Sequence, residues 1–161
     1  MSKGDKPGVI VIEGHVQGLA NTRALGEQGI PVFVLDKNLC LARYSKFCKK
    51  FFRCPDYLAP EFITFLLNLA KQHNLRGWSL FPSNDHAVYN ISKNKEKLGS
   101  FYKVISPDLD IFNNIYNKGK LLNIADDLKL PIPNTYYPAD SNDEISKLQF
   151  TTAMPLYGLL T

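Results

Sequence analysis

The stretch VIVIEGHVQGLANTRALGEQGIPVFVLD, residues 9–36, narrows the folds open to this chain more than any other feature. Val9–Ile12 is an unbroken run of β-branched aliphatics between Gly8 and Gly14, as expected of a strand buried on both faces. From Gln17 to Gln28 the pattern turns helical. Leu19, Thr22 and Leu25, with Ala20 and Ala24 between them, form a narrow apolar stripe whose small residues allow close packing on a sheet. Gly29 is placed to stop that helix, and Ile30–Asp36 is a second buried strand ending in an acid. Strand, helix, strand is a βαβ unit, and its crossover is right-handed.

The alternation continues. Lys50–Arg53 is a short third strand, cut off by Pro55. Pro60 opens an amphipathic helix through about Gln72, with Phe62, Phe65, Leu66 and Leu69 on its apolar side. Trp78–Phe81 is the next strand. It stops at PSND, where Ser83 or Asn84 can cap a helix running to about Leu98. Tyr102–Ile105 follows, closed by Ser106 and Pro107. The pattern predicts an α/β fold, a Rossmann-like parallel sheet with helices on both faces. Strands 9–12, 32–35 and 78–81 are expected to be neighbours or near-neighbours in it. This domain spans residues 8–106. Beyond it, one or two helices cover Asp108–Leu128, PIPNTYYP (131–138) is extended, and Ser141–Leu148 is a helix with Ser141 and Glu144 spaced as a capping box. Residues 151–161 show no period and receive no assignment.

Composition removes several function classes. With 45% apolar and 21% charged residues the chain is neither disordered nor fibrous. Its longest aliphatic run, Val9–Ile12, is far too short to cross a bilayer, so no membrane is expected as a partner. Met1–Pro7 has no apolar core behind its charges and is not a secretory signal. A cytoplasmic location follows, with Cys40, Cys48 and Cys54 reduced and, lacking C-x-x-C spacing, not ligating metal. The net charge of +4 is mild, but Lys37–Arg53 carries bases and no acid. That run is a solvated loop around a strand or an anion-binding patch. Its Tyr44, Phe47, Phe51 and Phe52 could stack on bases, yet they lie beside a strand and suit a core better. No nucleic-acid partner is expected.

The turn after the first strand invites comparison with a dinucleotide fingerprint, which needs G-x-G-x-x-G. Gly14 is followed by Val16 and Leu19 where the other two glycines belong, and Gly18 falls between those positions. Asp36, at the end of the second strand, is where a ribose-binding acid would stand. The loop still precedes a helix N-terminus, whose unpaired N–H groups and dipole can receive an anion. Alternatively, Gly14 serves only a tight turn and Gly18 only close packing.

Taken together, GHVQGLA (14–20), GIPVFVLD (29–36), ARYSKFCKKFF (42–52) and FPSND (81–85) resemble the pre-ATP-grasp domain of carboxylate–amine ligases, enzymes similar to D-aspartate ligase and the carbamoyl phosphate synthase large subunit. NKGKLLNIADDLKLPIPNT (117–135) is similar to the family's D-K-x(6)-A-x(5)-P-x-P, with Asn117 in place of the aspartate. Residues 107–150 would then begin the ATP-grasp module. The resemblance implies an enzyme that uses ATP and magnesium to make an acyl phosphate, which an amine attacks. Its small-molecule partner would be a carboxylate or an amine, and a homodimer is left open. The residues that match substrate-facing positions are Gly14, His15, Gln17, Gly18, Asp36, Ser83 and Asp85; Lys118 matches the residue that contacts the nucleotide. For Asp85 a helix-capping role is the alternative, and for Lys118 an exposed helix lysine.

The family goes on to a Lys-Pro strand, a glycine-rich phosphate loop and acidic metal ligands, whereas this chain ends QFTTAMPLYGLLT. Phosphoryl transfer depends on such metal and cationic clamps. The expectation is therefore an N-terminal fragment of a ligase, truncated or frame-shifted and inactive alone, with no tightly bound cofactor. The alternative is a stand-alone Rossmann-like module for a nucleotide or small anion. Any anion is expected at the Gly14–Gly18 loop or near Ser83–Asp85.

Overall fold

The structure, a computed structural model, describes residues 6–133. Its centre is a five-stranded sheet in the order β3-β2-β1-β4-β5. The strands are β1 (Val9–Ile12), β2 (Val32–Asp36), β3 (Cys48–Arg53), β4 (Ser79–Pro82) and β5 (Lys103–Val104), and every pairing is parallel. β1 lies in the middle, with Val9 opposite Val32 on one side and Ser79 on the other. Of the three segments expected to be neighbours or near-neighbours, β2 and β4 each pair directly with β1, which lies between them. β1 and β2 are buried along their whole length, which is why they read as continuous apolar runs.

Helix α1 (Val16–Glu27) crosses from β1 to β2. It ends as its sequence predicts. Gly29 takes φ 73°, its N–H bonds Gly26 O at 3.0 Å, and the Ile30 N–H reaches back to Leu25 O at 3.2 Å. Helix α2 (Glu61–Gln72) buries Phe62, Ile63, Leu66, Leu69 and Ala70, the stripe visible in its spacing. The helix expected from Asp85 to Leu98 is broken. α3 (Asp85–Lys93) stops at Asn94, whose Nδ2 donates to Asn90 O at 2.9 Å, and α4 (Lys95–Gly99) starts afresh. β5 is shorter than expected, because Tyr102 turns into the core, its OH donating to Leu66 O at 2.7 Å, and Ile105 is exposed.

The sheet has two unlike cores. On one face Ile10, Ile12, Phe33, Leu35 and Leu80 meet the side chains of α2, Ile91 of α3 and Leu98 of α4. On the other, Val9, Val11, Val32 and Val34 meet Cys40, Ala42 and the partly buried Leu19 and Leu25 of α1. A 3₁₀ turn, Leu41–Tyr44, closes that second face. The free thiols are buried at Cys40 and Cys54, and burial pushes Cys54 up to about 12.

Helix α5 (Leu109–Tyr116) packs on α3 through aromatic rings. Tyr116 stacks on Tyr89 with centroids 5.2 Å apart, and its OH lies 2.9 Å from His86 Nδ1. Helix α6 (Lys118–Asp127) follows, and the chain divides into one compact unit through Leu121 and a second from Leu122. The remainder of PIPNTYYP, the helix expected at Ser141–Leu148 and the tail lie outside the described residues. No helix among the described residues is long and apolar enough to cross a membrane.

Candidate functional site

In a parallel sheet every strand delivers its following loop to the same edge. The chain runs from β1 toward β2 and β3 in one direction and returns to β4 and β5 in the other. The order reverses between β1 and β4, and open α/β folds bind ligands in the crevice at such a point. The loops that flank it here are Glu13–His15 and Ser83–Asn84.

The first loop is shaped from below. Glu13, directly after the strand, adopts φ 73°, uncommon for a side chain with a Cβ. The Gly14 N–H donates to Asp36 Oδ2 at 2.8 Å, and Gly14 O accepts the Ala42 N–H at 2.9 Å. A Cβ at position 14 would stand 2.3 Å from Cys40 Sγ. One at position 18 would stand 1.9 Å from Glu13 O. Both glycines are thus required by close approach of backbone and neighbour, the packing role left open by the sequence. Thr22 Oγ1, buried in the same helix, donates to Gly18 O at 2.7 Å.

Asp36 is 1% exposed and does not line the crevice. One of its oxygens holds the Gly14 amide and the other accepts the Asn38 N–H at 2.9 Å. It can act on a ligand only through the loop it positions. A free carboxylate for a ribose is not what stands there.

His15 is the residue before α1, and its side chain makes no capping hydrogen bond. The first-turn N–H groups of α1 are therefore left without a side-chain acceptor, as an anion site requires. His15 and Gln17 are exposed beside them. Across the crevice, the Ser83 N–H donates to Ile12 O at 2.9 Å and holds the second loop against β1. Asn84 supplies the cap of α3, its Oδ1 accepting the Ala87 N–H at 2.8 Å. Ser83 is thereby free of capping, and its Oγ accepts from Asn21 Nδ2 at 3.2 Å, linking α1 to the second loop. Its own proton remains to be donated. Asp85 is exposed in the first turn of α3.

Sequence reasoning missed Glu13 and Asn21. Partial burial raises the Glu13 carboxyl above its usual range, His15 opposes this and Asp36 adds to it. The available signal was an acid placed immediately after a fully apolar strand. Asn21 gave none, because a polar residue on the flank of a surface helix is ordinary. Beside Ser83, an apolar slot of about 180 Å³ is lined by Phe81, Pro82, Val88, Ile105, Ser106 and Pro107.

Lys118, the first residue of α6, is exposed, and among the described residues no hydrogen bond or ion pair joins it to either loop. Asn117 caps this helix, Oδ1 accepting the Lys120 N–H at 3.1 Å, a role asparagine fills as well as aspartate. Among the described residues no group of three or more His, Cys, Asp or Glu gathers to hold a metal ion. No chemistry of residues 6–133 is routed through a metal ion here.

No family model matches the sequence, and no curated protein is similar to it at the sequence level. Among solved structures, the chain is similar to the biotin carboxylase domain of a single-chain bacterial carboxylase, with a TM-score of 0.58 and 15% identity over 87% of this chain. That match spans 33% of the carboxylase chain, about a third of its length. What the two share is the fold: a parallel α/β sheet of this architecture.

Proposed function

We propose that this chain supplies the substrate-side domain of an ATP-grasp ligase that activates a carboxylate, as in carboxylases and carboxylate–amine ligases. The observation that carries this reading is the Asn21–Ser83 hydrogen bond, which ties the uncapped N-terminus of α1 to the loop after β4 at the reversal point of the sheet. The likeness of fold to a biotin carboxylase domain and the resemblance of residues 117–135 to the start of an ATP-grasp module support it.

In this reading the oxyanion of a carboxylate substrate lies against the N–H groups of Gln17 and Gly18 and the Ser83 hydroxyl. His15, Gln17 and Asp85 select what is attached to it, and Gly14 and Gly18 let the loop close. Asp36 positions that loop. Lys118 would meet the nucleotide, with ATP and magnesium held by parts of the enzyme outside residues 6–133.

Calorimetry of this chain with Mg-ATP tests the division of labour. One exposed ammonium contributes about 1 kcal/mol or less, whereas micromolar affinity needs about 8 kcal/mol. Binding weaker than about millimolar is expected. Tight binding abolished by Lys118→Ala would mean that the chain already holds a complete nucleotide site, and the stand-alone nucleotide module would replace this reading.

A further inference from the structure

A sizeable cavity lies at the opposite edge of the sheet, where the strands begin. It measures about 580 Å³, within the range of small-molecule sites. Pro31 precedes β2, Trp78 precedes β4, and the turn His73–Arg76 follows α2, so each contributes to this edge. The cavity wall includes Phe33 and Trp78, whose ring centroids are 4.5 Å apart. Lys6, Lys49, Lys50 and Arg76 also line it, and among the described residues no acid does.

The lysines are brought there by an irregularity in the sheet. Val32 pairs with Cys48 but Phe33 pairs with Lys50, so Lys49 is an extra residue in β3. Strand alternation would send one of two successive lysines to each face. The bulge leaves both exposed at this edge, with Lys50 Nζ 5.6 Å from the Phe33 ring centroid. None of the four cations forms an ion pair among the described residues, where the salt bridges are Lys37–Asp56 and Lys95–Asp108. The feature opposing an anion is the negative end of the α2 dipole. It is blunted, because Leu69 O and Ala70 O accept the His73 and Leu75 N–H groups at 3.0 and 2.9 Å. Four like charges around one cavity repel one another, and an anion held among them relieves that cost.

We propose that this amino-edge cavity is a second binding site, for a small planar ring bearing a phosphate or carboxylate. The ring packs on the edges of Phe33 and Trp78, and the oxyanion is held by Lys49, Lys50 and Arg76. The site is separate from the crevice at the other edge, and its Lys49 and Lys50 belong to the basic run Lys37–Arg53, for which an anion-binding patch is one of the two readings. It does not rest on the ligase reading.

Trp78 is the single tryptophan of the chain, so its emission reports on this cavity. The probe is phenyl phosphate, with inorganic phosphate and phenol as its separated halves and benzoate as the carboxylate counterpart. Phenyl phosphate is expected to change the emission saturably at concentrations below about 1 mM, with each half binding at least about tenfold more weakly. Lys50→Gln and Arg76→Gln, both at exposed positions, are each expected to weaken it about tenfold with unchanged melting temperature, and Lys118→Ala to leave it as it was. Absence of a saturable change up to about 10 mM, equal affinity for inorganic phosphate, or unchanged affinity in both cavity variants would overturn the proposal.

Discussion

The two faces of the sheet are built for different ends. The face under α2, α3 and α4 is thick and aromatic, holding Phe33, Phe62, Trp78 and Tyr102 among its buried residues. The face under α1 is thin: its buried residues are valines, Cys40 and Ala42, with larger side chains such as Leu19, Leu25 and Phe51 only partly buried against them. Large side chains hold helices away from a sheet and bury much area, about 25 cal/mol per Å² of apolar surface. Small ones let a helix come close enough for its backbone to touch the loop before it. Gly18 against Glu13 O is that contact. Stability is concentrated on the first face, and the geometry of the crevice on the second.

Substitutions that separate these roles sharpen the comparison. The largest effect is expected at Phe62, fully buried under α2. Phe62→Ala should cost about 3–5 kcal/mol in denaturant unfolding, while the crevice loops of the folded fraction keep their amide spectrum. Gly18→Ala comes next. Its Cβ would meet backbone, which yields less readily than a side chain, and a loss of about 1–3 kcal/mol is expected. Here the amide signals of Glu13, Gly14 and Ser83 should move. A loss as large as that of Phe62→Ala, or unmoved loop signals, would break the assignment of the crevice to the thin face.

Asp36→Asn is expected to cost somewhat less, about 1–2 kcal/mol. An amide can present its oxygen to either the Gly14 or the Asn38 N–H, but not a carboxylate pair to both. Glu13→Gln should have the smallest effect, and its sign is the test. Burial holds the folded carboxyl above its ordinary range, so the folded state binds the proton more tightly than the unfolded chain. Stability then falls as pH rises from the ordinary glutamate range through the folded value, and the penalty persists above it. Glu13→Gln should flatten that slope and melt slightly higher at neutral pH. A steeper slope, or a lower melting point there, would contradict the burial of Glu13.

Much of the architecture was legible because periodicity reports burial. Continuous runs at Val9–Ile12 and Val32–Asp36 belong to strands covered on both faces, and Gly29 ends α1 because the turn needs positive φ. The break at Asn94 and the bulge at Lys49 were not legible. Each depends on a partner distant in sequence or on a local hydrogen bond that competes with the helix. The placement of Gly14 and Gly18 after β1 and of Ser83 after β4 was readable from the strand pattern. The use of Asp36 was not, since an acid at a strand end reads alike whether it faces a ligand or pins a loop. Asn21 and Ser83 are joined only by the fold.

The central claim is that the crevice between the loops after β1 and β4 receives a carboxylate. Amide chemical-shift mapping of the whole chain during titration with malonate, and separately with bicarbonate, tests it most directly. The account predicts saturable shifts at Val16, Gln17, Gly18 and Ser83, reduced by Ser83→Ala and left unchanged by Lys50→Gln. Shifts confined to other parts of the chain, or none at these amides at concentrations up to about 10 mM, would contradict it.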